Sequence, residues 1–274
     1  MKKYTVREDG SLKKFTDDTC AQASFCWSRL LREKGIRVNG ARVTSDMPVR
    51  AGDEVVYYLT PAQQSRAAFS RVFEDENVFV ADKESGVNSE AVFSELCERG
   101  EFYFLHRLDR NTQGLLLFAR NGCAAQALLD AFRTHRTEKR YLAQVKGRMP
   151  ARHAVCNAYL CKDAARSRVS ISSRPVGEKI VTEYEVLREG ARTSLLSVTL
   201  HTGKTHQIRA HLAFLGHPVV GDTKYGDGAL NRELHASRQR LIAKQLRVFP
   251  GGGLSYLGEH TFVSAHGGEE WELI

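Results

Sequence analysis

The sequence predicts an α+β fold in two parts: a small N-terminal domain, then a larger domain organised on an antiparallel sheet. Segments at helical spacing, over 21–34, 122–132 and 208–215, are interspersed with short apolar runs that read as strands. Turn signals join several of those runs into hairpins, the unit from which an antiparallel sheet is built. Between Thr60 and Arg71 the segment TPAQQSRAAFSR loses the apolar pattern and gains Pro, Gln and Ser, the composition of a connector. The expected division is therefore 1–60, a linker over 61–71, and 72–274.

Composition narrows the function classes. At 274 residues and 42% hydrophobic content, the chain can bury a sizeable core and fold alone. Its 40 Lys and Arg against 32 Asp and Glu leave a net charge of +8, which favours a polyanionic partner. Six cysteines, none in a C-x-x-C pair, argue against a disulfide scaffold and fit a reducing cytoplasm. The N-terminal MKKYTVREDGSLKK has no apolar run after its lysines, and no later run approaches the ~18 residues of a membrane span. Neither secretion nor membrane association is expected. His153, Cys156 and Cys161 lack a fourth metal ligand at a standard spacing and read as scattered side chains.

Within the N-terminal part, Ala21 to Lys34 carries Trp27, Leu30 and Leu31 at helical spacing, with Arg29 and Arg32 on the other side. Asn39-Gly40, set between β-branched residues, signals a tight hairpin over 35–43, and 49–57 supplies a turn and a closing strand. After the linker, 72–83 is two short apolar pieces around an acidic turn. A helix over 89–99, with Ala91, Val92 and Leu96 as its apolar side, follows.

The stretch Phe102 to Arg120, FYFLHRLDRNTQGLLLFAR, sets a polar loop, His106 to Gly114, between two apolar runs, the second a strand buried on both faces. In that anchored loop Asp109 stands close to Arg107 and Arg110, an arrangement that holds a carboxylate ionised near an anionic substrate. Hydrolase, nuclease and transferase chemistry all remain open at this point. Asn121 caps a helix through Phe132 whose inner face is Ala124, Leu128, Leu129 and Phe132. A strand over 139–147 has Tyr141 near its start; 149–175 is basic and reads as irregular or hairpin-like; 179–187 and 193–200 form a hairpin.

Ile208, Leu212 and Leu215 mark a helix ended by Gly216 and Pro218, with Arg209 near its first turn, beside the apolar stripe. Gly203-Lys204-Thr205 is no phosphate loop, because Val198 stands where that motif needs glycine. No Gly-x-Gly-x-x-Gly follows a strand, so no dinucleotide site is indicated. His206, His211 and His217 lack metalloprotease spacing and read as surface or supporting residues.

Two resemblances then organise these motifs. Leu30 to Glu33, Val38-Asn39-Gly40 and Val49 to Val56 occur in the order of the S4-type RNA-binding domain, which this segment resembles. That resemblance implies RNA contacts from Arg29, Arg32, Lys34, Arg37 and Arg42. His106-Arg107-Leu108-Asp109 with Thr112 and Gly114, then Lys139 to Gly147 with Tyr141, then Thr202 to Leu212, then Gly221-Asp222-Thr223-Lys224-Tyr225-Gly226 resemble, in order, the motifs of the RluA-type RNA pseudouridine synthases. The implied fold is a large mixed, mainly antiparallel sheet flanked by helices and loops.

The implied activity is isomerisation of uridine to pseudouridine, without cofactor or metal. Asp109 is implied as the catalytic carboxylate, paired with Arg209, a contact that lowers a carboxylate pKa by ~1–3 units. Tyr141 is implied to stack on the uracil and to take the C5 proton. Arg107 is implied to fill the space that a flipped uridine leaves. Structured RNA is the expected partner, ribosomal RNA ahead of tRNA, and a monomer is the simplest state. The sequence departs from the family pattern at Glu84, Gln113 and Ile242, which bears on target choice and on the loop around 83–86. The competing readings are a non-catalytic RNA-binding or ribosome-associated protein on the same fold, which an intact Asp109, Tyr141 and Arg209 disfavours, and a metal-dependent nuclease, which lacks a second carboxylate on the loop.

Overall fold

A four-stranded and an eleven-stranded sheet organise the chain in the computed structural model, which describes residues 1–163, 168–268 and 270–274. The N-terminal part contains β1 (Lys2–Thr5), β2 (Gly10–Ser11), α1 (Leu12–Thr19), α2 (Ala21–Phe25), α3 (Trp27–Arg32), β3 (Ile36–Val38), β4 (Ala41–Val43), β5 (Pro48–Val49) and β6 (Glu54–Tyr57). Its main sheet runs β1-β6-β3-β4, antiparallel throughout. Asn39 and Gly40 both adopt positive φ, 49° and 80°, as a two-residue turn matched to strand twist requires. Leu12, Leu30, Ile36, Val55 and Tyr57 form the core beneath it.

The helix expected over 21–34 is divided at Cys26, and α1 precedes it unanticipated. Few apolar side chains mark α1; Ser11 caps it by accepting from the Lys14 amide, and Lys14–Asp18 is an i,i+4 pair at 2.8 Å along it. The connector is shorter than the 61–71 expected. A short helix, α4 (Pro61–Gln64), is closed by a reciprocal Thr60–Gln63 cap, and strand pairing resumes at Phe69, whose ring meets Phe79 edge-on at 6.0 Å.

The larger part contains β7 (Phe69–Glu74), β8 (Val78–Lys83), α5 (Ser89–Cys97), β9 (Tyr103–Phe104), β10 (Gln113–Ala119), α6 (Gly122–Arg133), β11 (Thr137–Lys146), β12 (His153–Asp163) and β13 (Arg168–Ser172). It continues through β14 (Glu178–Glu189), β15 (Thr193–Leu200), α7 (Gln207–Phe214), α8 (Gly228–Glu233), β16 (Leu241–Val248), a 3-10 helix (Gly252–Glu259) and β17 (Phe262–Val263). The sheet order is β13-β12-β14-β15-β11-β16-β10-β8-β7, with β9 on β10 and β17 on β16. The β10–β16 pair is parallel and the other pairs are antiparallel, so the sheet is mixed and mainly antiparallel.

β10 explains its own sequence. Leu115 and Leu117 point into one core with α6, while Leu116 and Phe118 point into another with α5, so a continuous apolar run is what both faces need. At its start Gly114 has φ +111°, and a Cβ there would lie 2.3 Å from the Ala243 carbonyl oxygen. Only glycine lets β10 approach β16 at that point.

Some side chains fall outside their expected faces. Leu129 of α6 is 43% exposed, its inner place taken by Ala125 and Ala131, and Leu215 ends α7 at 36% exposed. The segment 149–175 is more regular than expected: β12 and β13 pair antiparallel, and residues 164–167 lie outside the described residues. Among the described residues no helix is long and apolar enough to cross a membrane.

Candidate active site

The loop between β9 and β10 is held from several sides before any substrate arrives. Ser89, at the start of α5, accepts from the Leu108 amide at 2.9 Å and donates to the Leu108 carbonyl at 3.1 Å. The Thr112 amide closes a turn onto the Asp109 carbonyl at 3.0 Å, and the Gly86 amide donates to the Arg110 carbonyl at 2.9 Å. Lys83, fully buried, donates to the carbonyls of Glu84, Val87 and Arg110 at 2.9, 2.8 and 3.1 Å. Burial pushes this ammonium down to about 7, against the pull of Asp109. Upstream, the Leu117 amide donates to His106 Nε2 at 3.0 Å, which puts the imidazole proton on Nδ1. Burial, with Lys139 nearby, holds His106 down to about 3, so the ring is neutral.

On this loop Asp109 faces α7. Arg209 Nη1 donates to Asp109 Oδ2 at 2.7 Å, while its Nε and Nη2 grip Asp222 at 2.6 and 3.0 Å. Arg209 and Asp222 are 6% and 1% exposed, so this is a desolvated ion-pair network with a bidentate anchor behind the guanidinium. Burial opposes the charge on Arg209, but the Asp222 hydrogen bonds and the charges of Asp109 and Asp222 outweigh it and raise its pKa. Burial likewise opposes ionised Asp222, yet Arg209 and the amides of Lys224 and Tyr225 hold it below the usual carboxylate range. The turn that presents Asp222 depends on Gly221, where φ is +77° and a Cβ would lie 1.8 Å from the Arg238 carbonyl oxygen.

Asp109 opens onto a cleft of ≈ 740 Å³ whose walls include His106, Lys139, Tyr141, Leu200, Lys204 and His206. β11 brings Tyr141 into it, with α7 packed on the same side of the sheet. Burial raises the Tyr141 phenol, and the Asp109 charge adds to that, so Tyr141 is a neutral phenol. A carboxylate held by a buried guanidinium, beside an aromatic ring in a cation-lined cleft, suits a planar base on a polyanionic chain.

The arginines beside Asp109 in sequence face elsewhere. Arg107 pairs with Glu90 at 2.9 Å and stays exposed at the cleft, while Arg110 turns to the N-terminal part, reaching Asp17 at 2.5 Å and Ser24 at 3.0 Å. The guanidinium that meets Asp109 is therefore that of Arg209, 100 residues away in sequence, rather than that of a flanking residue. Asn88–Asp18 at 2.8 Å and Gln22–Glu95 at 3.1 Å continue the contact between the two parts. Arg32, Lys34 and Arg42 are exposed, Arg37 lies over Tyr58 at 5.2 Å and directly opposite Arg42, and Arg29 is partly neutralised by Glu33 at 2.8 Å. None of these residues lines the cleft.

Sequence reasoning left Asp222, Lys83 and Ser89 without roles at the site. Asp222 and Tyr225 lie in a motif read whole, and neither Lys83 nor Ser89 carries a local pattern that points to a loop on another element. The departures at Gln113 and Ile242 are register neighbours across β10 and β16. Gln113 Nε2 is 3.2 Å from His266 Nδ1, and Trp271 packs beside Ile242, so the C-terminal tail fills the space next to both.

Comparison with known proteins places this geometry. Residues 77–214 match the RNA pseudouridylate synthase family. The chain is 33% identical to an uncharacterised RNA pseudouridine synthase of Bacillus subtilis, with 76% of each chain covered. It is 32% identical to the ribosomal large subunit pseudouridine synthase C of Vibrio cholerae, covering 87% of this chain and 84% of that one. Among solved structures, human RNA pseudouridylate synthase domain containing 1 superposes with a TM-score of 0.60 at 29% identity, over 66% of this chain and 79% of the other.

Proposed function

The chain belongs to the RNA pseudouridylate synthase family, and on that premise we propose that Asp109 is the carboxylate with which it isomerises uridine in structured RNA, ribosomal RNA ahead of tRNA. The reaction opens the N1–C1′ bond, turns the freed uracil and rejoins it through C5, with no change of redox state and no energy input. Asp109 acts either by covalent attack or by taking the C2′ proton to give a glycal. Arg209 keeps the carboxylate aimed, and Asp222 keeps Arg209 in place. Tyr141 stacks on the uracil; as a neutral phenol it becomes the C5 base only by passing its own proton on.

The observation that carries this reading is the 2.7 Å contact of Arg209 with Asp109 on a loop pinned by Ser89 and Lys83. Arg107, exposed at the mouth of the cleft, is the side chain proposed to occupy the gap left by the flipped nucleotide. The S4-like surface of Arg29, Arg32, Lys34, Arg37 and Arg42 is proposed to hold flanking RNA. The relative named for the ribosomal large subunit supports ribosomal RNA as substrate, and with it a cytoplasmic setting. The proposed enzyme is monomeric and uses no cofactor.

The test is incubation with total RNA transcribed without modification, followed by mapping of carbodiimide-dependent reverse-transcription stops. New stops with wild type and none with Asp109→Asn are expected; equal stops from both would sink the assignment.

A further inference from the structure

The proposal above gives His206 no task, yet its setting is built. It occupies the left-handed region, φ 56° and ψ 15°, a conformation that a non-glycine residue keeps only where its surroundings hold it. Its ring lines the catalytic cleft at 15% side-chain exposure. Nδ1 lies 3.0 Å from the Tyr225 hydroxyl, and that hydroxyl oxygen accepts the Val169 amide at 2.9 Å. Among the described residues His206 Nδ1 is the side-chain partner of that hydroxyl, which can donate its proton to Nδ1 or accept one from it. With the phenol as donor in this pair, the imidazole proton is on Nε2.

Nε2 is 3.9 Å from Asp109 Oδ1, the oxygen that Arg209 does not bind. That separation is too long for a direct hydrogen bond, so Nε2 stands beside Oδ1 without capping it. Burial lowers the imidazole below its ordinary range against the pull of Asp109, and Arg209 and Lys224 push the same way. In the tautomer with the proton on Nε2, the neutral ring is a donor on the Asp109 side. Tyr225 also lies against the Arg209 guanidinium, 5.4 Å from it, so the ring that partners His206 belongs to the same packed unit as the carboxylate's partner.

We propose that His206 is a further catalytic residue, whose Nε2–H hydrogen-bonds a carbonyl oxygen of the flipped uracil as the N1–C1′ bond opens. The electron pair of that bond moves onto N1 and spreads to the carbonyl, where the donor meets the developing charge. The imidazole keeps its proton throughout, and the charge withdraws from the oxygen when the C5–C1′ bond forms. This rests on Asp109 being the reactive carboxylate.

Single-turnover tritium release from [5-³H]uridine-labelled unmodified RNA tests it, with RNA affinity measured in parallel. His206→Gly suits the left-handed backbone, so it removes the donor without adding strain. The expected result is a ~100-fold slower rate, as for loss of a transition-state hydrogen-bond donor, with RNA affinity unchanged and partial rescue by added imidazole. His206→Asn, which tolerates the same backbone and keeps an N–H donor, is expected between the two, and Tyr225→Phe is expected to lose less than His206→Gly. A wild-type rate in His206→Gly would overturn the proposal. Equal losses in His206→Gly and Tyr225→Phe with no imidazole rescue would also overturn it, because they would make His206 a packing residue. Asp109→Asn run alongside separates the two ideas: activity retained there fails the carboxylate assignment, whereas activity lost there and kept in His206→Gly fails the histidine alone.

Discussion

Asp222→Asn isolates what the buried anchor contributes, because it removes a charge while keeping the side chain's shape. An asparagine at this position can still accept the Lys224 and Tyr225 amides through Oδ1, so the turn after β15 and α7 should persist. What is lost is one of the two anions that balance a guanidinium only 6% exposed. Removing one partner of a buried pair costs ~3–5 kcal/mol; the retained acceptor and the remaining Asp109 contact favour the lower end. At ~2–4 °C per kcal/mol for a domain of this size, the melting temperature should fall by ~6–12 °C. The rate should fall further than stability suggests, by ~100-fold, because a reactive group displaced by about an ångström loses that much. RNA affinity should hold, since Asp222 is 1% exposed and meets no substrate surface. Differential scanning calorimetry and single-turnover pseudouridine formation read the two effects. A variant that melts and reacts as wild type would refute the view that Arg209 must be gripped from behind.

Other predictions follow from neighbouring contacts. Arg110→Ala removes the Asp17 and Ser24 contacts, a half-exposed pair worth ~1 kcal/mol, and should speed limited proteolysis within 61–67 by loosening the N-terminal part; an unchanged cleavage rate would argue against that hinge. Neutralising Arg29 and Arg32 together should weaken RNA binding and reduce its salt slope by ~1–2, with Arg32 contributing more because Arg29 already pairs with Glu33; an unaltered slope would remove this surface from the RNA path. His106 has a folded pKa near 3, below its ordinary 6.5, so the unfolded chain binds the extra proton first. Its contribution is complete above about 6.5 and is lost as pH falls toward 3. Melting measured from pH 7 to 4 should therefore decline less steeply in His106→Gln than in wild type.

Much of this architecture was legible because its signals are local. The Asn39-Gly40 turn, the double-faced run of β10, the Asn121 cap and the Gly216 helix end each follow from a few adjacent residues. The pairing of Asp109 with Arg209 came through the family resemblance, and the 2.7 Å contact brings the two together across 100 residues of sequence. What local reading missed depends on partners far apart in the chain. Arg107 and Arg110 look like Asp109's neighbours, but the loop between β9 and β10 turns one to Glu90 and the other to Asp17. Asp222 bears on the carboxylate through Arg209, and Lys83 bears on it through its charge and through carbonyls that no pattern announces. α1 was missed because only two apolar residues, Leu12 and Phe15, carry its inner face among polar and charged ones.

The most direct test of the account is tritium release from [5-³H]uridine-labelled unmodified ribosomal RNA by Asp109→Asn under single-turnover conditions, with binding of the same RNA measured beside it. Asparagine keeps an oxygen for Arg209 and removes the negative charge, so binding should persist while release falls to background. Release at the wild-type rate would contradict the claim that Asp109 carries the reaction.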